Sequence, residues 1–438
     1  MRRSKKFFLK TLLAVLSVSS LASAEPLSIT GLIELAMKNS PTLQKAEAER
    51  NEGAWKKVEG ISNLLPTLAL SANHFFDKKY QYLDIPFGGG PIVEFPQIFP
   101  SSSASLSAKW MIFDGLANVN LFRGSSSIKS SAEAQYDFAR FQLEQDVILA
   151  YSKLIAAKKL EEVAISNLKT LENHSSQVEH LKTGGLATHY DVLKVETQLS
   201  EAQAELLLAK DNTEIAKEKL STTVGGELPE FKEDALPSPE SKLTEQIKNL
   251  TPTTNFEKRK DIQAIKNQVD AADHLDAAAS LFWAPRISIG ADYTKYNNLT
   301  DTLSNWNQYR TSWNVGIFLN WNLFAPKDFS IAKQNKYKAL SAENNLKNVM
   351  LQAPVDFAFW KKRYIYSATL YTARNADLMR ATETVRLADA GFKAGVRTTT
   401  EVLDAELELF RARAGIVNAQ INCIEAKVKL ELALGEKL

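Results

Sequence analysis

The residue types that do chemistry are few here and poorly spaced for it. The histidines are His74, His174, His180, His189 and His274. His174 and His180 stand six apart, which puts them on different faces of a helix, so a surface position is the expectation over metal ligation. The sequence has no HExxH, no nucleophile elbow and no glycine-rich loop opening a phosphate-binding helix. Gly88-Gly89-Gly90, between Pro86 and Pro91, has no helix behind it and reads as a loop tip. Cys423, the single cysteine, recurs in phase with apolar residues and reads as packing, and an exported fold here is held without disulfides. Two polar constellations do have a defined geometry: Thr188 with Asp191, and Thr398 with Glu401. A hydroxyl three residues before an acid is a capping box, and Gly184/Gly185 and Gly395 just ahead suit helix ends that need a positive φ. The pattern points to two tight helix reversals, with no enzyme activity and no cofactor or metal.

Those reversals need long helices on both sides. Residues from about Asn120 to Lys182 and from Ile331 to Lys393 contain few breakers, and roughly 60 residues at ~1.5 Å each reach ~90 Å. The returning segments carry a 3-4 apolar repeat: Val192, Val195, Leu199, Ala202, Leu206, Ala209, Thr213, Ala216, Leu220, and then Val402, Ala405, Leu409, Ala412, Ile416, Ala419, Cys423, Ala426, Leu430, Ala433. Such a repeat is a coiled-coil seam, and alanine at alternate positions lets the partner backbone come close. Phe357, Tyr364, Tyr371, Leu378, Val385 and Phe392, each seven apart, supply the facing knobs. Pro354 lies in the same segment and should kink that helix or mark its true start.

Short stretches of period two precede each long helix. After Pro66 the apolar positions are Leu68, Leu70 and Ala72. Ala104, Leu106, Ala108, Trp110 and Ile112 alternate with Ser103, Ser105, Ser107 and Lys109. Ile287, Ile289, Ala291 and Tyr293 alternate with Arg286, Ser288, Gly290 and Asp292. Trp313, Val315, Ile317, Leu319, Trp321 and Leu323 alternate with Asn314, Gly316, Asn320 and Asn322, with Phe318 the exception. These are four strands with one apolar face each, about as long as a tilted membrane-spanning strand, with Trp110, Trp283, Trp313 and Trp321 near their ends. A soluble sandwich would alternate in the same way, but four strands among long helices make a poor sandwich core. Four strands cannot close a barrel either, and an open edge in lipid is costly. Several chains must therefore contribute: two give 8 strands, three give 12.

The N-terminus sets the compartment. Arg2, Arg3, Lys5, Lys6 and Lys10 precede an apolar run from Thr11 to Leu21 and the small residues Ala22-Ser23-Ala24, as in a secretory signal cleaved before Glu25. The whole chain carries net +2, and the five cations of residues 1–24 leave −3 for the rest, which argues against a nucleic-acid partner. No later run reaches ~18 apolar residues, so transmembrane helices are not expected.

The chain is also duplicated. Leu43 and Ile262, and likewise Pro66 and Pro285, are separated by 219 residues; Asp146 and Asp356, Gly185 and Gly395, and Gly225 and Gly435 by 210. The expected organisation is a signal peptide (1–24), a first repeat of helix, two strands and two long helices (25–227), a linker bearing Pro229, Pro237, Pro239 and Pro252 (228–255), and a second repeat (256–438). Together with the turn motifs Phe392-Lys393-Ala394-Gly395-Val396-Arg397-Thr398-Thr399-Thr400-Glu401-Val402-Leu403 and Gly185-Leu186-Ala187-Thr188-His189-Tyr190-Asp191-Val192-Leu193, this layout resembles the TolC family of outer-membrane efflux proteins.

The resemblance covers essentially the whole chain after residue 24. It implies a mainly α chain with transmembrane β: a long α-helical coiled-coil barrel joined to an outer-membrane β-barrel, four strands per chain, a homotrimer closing 12 strands. It implies passive conduction in a tripartite efflux or type I secretion system, with a periplasmic adaptor, an inner-membrane pump and outer-membrane lipid as partners. Carried over residue by residue, acidic rings at a closed periplasmic aperture fall on Glu401 and Asp404. Links that hold it shut fall on Tyr190, Asp191, Phe392 and Arg397. Position 392 is Tyr in the family's best-studied members; Phe392 has no hydroxyl to offer Asp191, and Tyr190, where those members have Thr, can supply one. Gly185, Leu186, Ala187 and Thr188, with Gly395, Val396 and Thr398, form the expected adaptor-docking tips. The competing readings are a periplasmic coiled-coil adaptor and an envelope spacer, neither with a pore.

Overall fold

The computed structural model describes residues 27–76, 80–86, 92–98, 102–251, 256–297 and 309–438. The candidate signal segment and the Gly88-Gly89-Gly90 tip lie outside these. The order is α1 (Ile29–Asn39), α2 (Pro41–Ser62), β1 (Thr67–His74), β2 (Tyr80–Pro86), β3 (Ile92–Ile98), β4 (Ser102–Phe113), α3 (Ala117–Thr183), α4 (His189–Val224), α5 (Ser241–Asn249), α6 (Lys260–Ser280), β5 (Arg286–Asn297), β6 (Arg310–Asn320), α7 (Pro326–Lys393) and α8 (Thr399–Leu434). The helix α3 has 67 residues and α7 has 68, so each spans ~100 Å. Pro354 sits inside α7, which begins at Pro326, so it does not mark the helix start.

The two long hairpins, α3–α4 and α7–α8, are the main helical contacts, and they lie side by side through α3 and α8. Every seam position named above on α4 and α8 is buried or half-buried, and Phe357 and Tyr364 on α7 are fully buried. Alternate small residues let the backbones close up, and the aromatic knobs fill the space that remains. The shorter α2 and α6 pack along the strand-proximal parts of α3 and α7. Gly60 allows this: a Cβ there would meet Ser125 Oγ at 2.8 Å and Phe122 Cα at 3.1 Å. Around the middle of the hairpins, α1 and the 227–239 segment add a collar. Tyr151 Oη donates to the Lys232 carbonyl (2.9 Å) and accepts from the Asp234 amide (2.8 Å), and Leu27 pairs with Phe231.

The strands form an antiparallel sheet of order β1-β4-β5-β6, with a separate β2–β3 hairpin outside the four alternating stretches. Register lines the apolar residues up across all four strands: Leu70, Leu106, Tyr293 and Trp313 form one row, and Leu68, Ala108, Ala291 and Val315 the next. The opposite face carries Ser105, Thr294 and Ser312 in one row and Ser107, Asp292 and Asn314 in another, and Ser105 and Thr294 share a 2.8 Å hydroxyl contact. Phe318 belongs to this polar face. Its ring lies against Gly290, where a Cβ would come within 2.6 Å of it, so the glycine makes room for the exception.

Burial runs opposite to that of a water-soluble sheet. Leu70, Trp313 and Ile317 are 77%, 73% and 75% exposed, whereas Ser288 on the polar face is 5% exposed. Among the described residues nothing covers the apolar face, which removes the sandwich reading, because a sandwich buries that face.

Candidate functional site: the helix-hairpin tips

The tips farthest from the sheet are built by matching local rules. At the end of α3 the Gly185 amide donates to the Lys182 carbonyl (2.9 Å) and the Leu186 amide to the Leu181 carbonyl (2.8 Å). At the end of α7 the Gly395 amide donates to Phe392 (2.9 Å) and the Val396 amide to Gly391 (2.9 Å). These Schellman pairs require the left-handed region at Gly185 and Gly395, both at φ +74°, whereas Gly184 stays at −83°. The next helices then start on capping boxes. Thr188 Oγ1 accepts from the Asp191 amide (3.2 Å) and Asp191 Oδ2 from the Thr188 amide (2.9 Å); Thr398 and Glu401 repeat this at 3.3 and 2.8 Å. Leu186 and Val396 project from the tips, 80% and 77% exposed.

Glu401 is fully engaged within its own chain. One oxygen takes the Thr398 amide, and the other takes Arg397 Nη1 at 2.7 Å. The Thr398 amide and then Arg397 hold its carboxyl below the ordinary range. The Thr398 hydroxyl accepts the Glu401 amide, so the cap is closed in both directions. Arg397 reaches Glu401 by lying over the last turn of α7, where Gly391 leaves space: a Cβ at 391 would meet Arg397 Cγ at 2.5 Å. Sequence reasoning passed over Gly391; the signal is a glycine inside an otherwise unbroken helix, one turn before its end. Asp404 is exposed one turn beyond Glu401. Asp191 is likewise held low, first by the Thr188 hydroxyl and then by the Thr188 amide.

The four proposed link residues do not meet within one chain. Among the described residues no hydrogen bond joins Tyr190 or Asp191 to Phe392 or Arg397: Asp191 serves its own cap, Arg397 serves Glu401, and Tyr190 is 68% exposed. Phe392 instead packs its ring 5.5 Å from that of His174. His174 departs from its expected surface place. It is buried between α3 and the second hairpin because α3 meets two neighbours there, and a single helix period cannot reveal a second contact face. Among the described residues, no group of three His, Cys, Asp or Glu side chains is placed to hold a metal ion.

A helical hairpin pair of this length, ending in mirrored tips and rooted in a sheet with an uncovered apolar face, can be compared with known proteins. The model of the outer membrane efflux protein family matches residues 32–226 and 254–436. The chain belongs to this family. Among relatives, outer membrane protein TolC of Vibrio cholerae is 22% identical over 422 residues, covering 96% of this chain and 92% of that protein. The alkaline protease secretion protein AprF of Pseudomonas aeruginosa is 22% identical over 409 residues, covering 92% and 83%. Among solved structures, the outer-membrane channel OprN superposes with a TM-score of 0.79 at 18% identity over 93% of this chain and 89% of its own, a likeness of fold. As a member of the outer membrane efflux family, the chain is a non-enzymatic outer-membrane channel for export, with its helical tunnel in the periplasm.

Proposed function

We propose that three copies of the chain close a 12-stranded barrel in the outer membrane and a helical tunnel below it, and that the mirrored tips form the tunnel's periplasmic aperture and its adaptor-docking surface. The observation that carries this is the four-stranded sheet, apolar and exposed on one side and polar on the other, with β1 and β6 its open edges among the described residues. A sheet of this kind is stable in lipid only when its edges are paired, which requires neighbouring copies. At the aperture Glu401 and Asp404 of each chain face a common axis, and the tip residues Gly185, Leu186, Ala187, Thr188, Gly395, Val396 and Thr398 meet a periplasmic adaptor. Tyr190, Asp191, Phe392 and Arg397 then act between neighbouring chains, which agrees with their lack of mutual contacts inside one. Expression and purification in detergent tests the assembly: a heat-modifiable trimer that conducts ions in planar bilayers is expected. A monomer, or a trimer that never conducts, refutes it. The same properties separate the channel from a poreless adaptor or spacer. The working system is a tripartite one, with an inner-membrane pump supplying the energy.

A further inference from the structure

The contact between α3 and α8 near the tips contains two buried polar atoms with no partner. On α8, Leu403, Glu406, Phe410, Arg413 and Val417 recur at 3-4 spacing and form a second stripe beside the coiled-coil seam. Leu403 is fully buried in a cluster with Leu171 and Val178 of α3. Arg413 Nη1 donates to Ser166 Oγ of α3 at 3.3 Å, which fixes the antiparallel register. Seven residues back along α8 is Glu406, and eight on along α3 is His174, so the two are level. Glu406 Oε2 and His174 Nε2 are both buried, and neither has a hydrogen-bond partner. Glu406 is half-buried as a whole, and a carboxylate with one oxygen buried and unpartnered bears an unmet desolvation cost, which it relieves by taking up a proton.

The surrounding charges do not relieve it. From α7, Asp389 acts on both groups, and its own carboxylate holds Lys393 Nζ at 2.6 Å. From α4, Val192, Val195 and Leu199 pack into the Leu403 cluster, Lys194 is half-buried, Glu196 and Glu201 are exposed, and Glu205 farther along feels Glu201 and then Arg411. On α8, Arg413 is committed to Ser166. Among the described residues, the charge that acts on Glu406 is the negative one of Asp389.

We propose that Glu406 is a proton-binding group that holds the second hairpin against α3 at the aperture end, so that the contact loosens as Glu406 ionises. This rests on the reading of the tips as the aperture. Burial, and then Asp389, push the Glu406 carboxyl up to about 7. The packed contact therefore binds a proton that the released, hydrated side chain, titrating near 4.5, does not. Stability of the contact is complete below the released value and is lost as pH rises through about 7. Burial moves His174 the other way, with Asp389 opposing. Its neutral form is the one that packs, so below about pH 6.5 its protonation offsets further tightening.

The test uses the full chain in detergent and in planar bilayers. Hydrogen exchange in residues 166–180 and 399–413, corrected for intrinsic rates, should report an opening equilibrium that rises by up to ~10-fold between pH 6 and 8.5. Glu406→Gln and Glu406→Leu should both flatten that rise, and His174→Gln should extend it to lower pH. A wild-type profile that is flat, or one that the Glu406 variants share, overturns the proposal. Exchange that follows the proton while conductance ignores pH leaves the proton site standing and refutes the aperture reading.

Discussion

A positive charge placed on the apolar face of β6 should prevent assembly. Ile317 lies four residues from Trp313 and four from Trp321 on that face, so each indole is ~13 Å away along the strand. That puts Ile317 at the middle of the apolar band, 75% exposed and paired with Ile289. Arginine at mid-bilayer on a barrel's lipid face costs about 2–4 kcal/mol, which is roughly 30- to 700-fold in the folded fraction per chain, and each chain in the assembly incurs it. The control is Asn314→Arg, on the polar face opposite Asp292, where an opposite-charge pair contributes about 0.2–1 kcal/mol in favour of the sheet. Asn320→Arg, at the strand end, should also be tolerated, although it faces Arg286. Outer-membrane fractionation and heat-modifiability on gels read the result: Ile317→Arg absent from the folded band, Asn314→Arg and Asn320→Arg present. Equal assembly of all three would mean that the assigned lipid face is wrong.

Glu401→Ala/Asp404→Ala should abolish block by a trivalent cation added on the periplasmic side in single-channel recordings; an unblocked wild type would mean that Arg397 neutralises the ring. Gly395→Trp forces a bulky side chain into a left-handed position and fills the tip, so export should fall to background while the folded assembly persists on gels. Thr398→Ala should cost about 1 kcal/mol of tip stability by removing the cap, measured as lower exchange protection at the start of α8. Because the Glu401 carboxyl is held below its ordinary value, its share of the cap is complete above pH 4.5 and is lost as pH falls through the lower folded value; Glu401→Gln should remove that acid sensitivity.

The parts that one-dimensional periodicity can carry are legible in the sequence itself. The alternation around Trp110 and Ile317, the 3-4 seam of α4 and α8, and the capping boxes at Thr188 and Thr398 each depend on neighbours a few residues away. What was missed depends on a second partner. His174 was expected at the surface because only one face of α3 carries the seam, yet α8 and Phe392 cover another. The stripe that holds Glu406 lies beside the stronger seam on the same helix and is masked by it. Phe318 broke the strand pattern for a reason visible only in register, where Gly290 and Gly316 stand beside it. The β2–β3 hairpin is hidden in the sequence because Pro86, Pro91 and Pro96 interrupt the alternation there.

The two open edges of the sheet belong to different repeats, β1 to the first and β6 to the second. In the proposed three-chain ring, a copy damaged only along β1 still presents a sound β6, so it would join its neighbours and leave the ring open at one seam. Lesions of that kind should be genetically dominant. With equal amounts of normal and altered subunits, only about one ring in eight of a three-chain assembly would be free of the altered copy. Lesions that unfold the whole sheet, such as a charge at Ile317, would instead be recessive, because those chains never reach the ring.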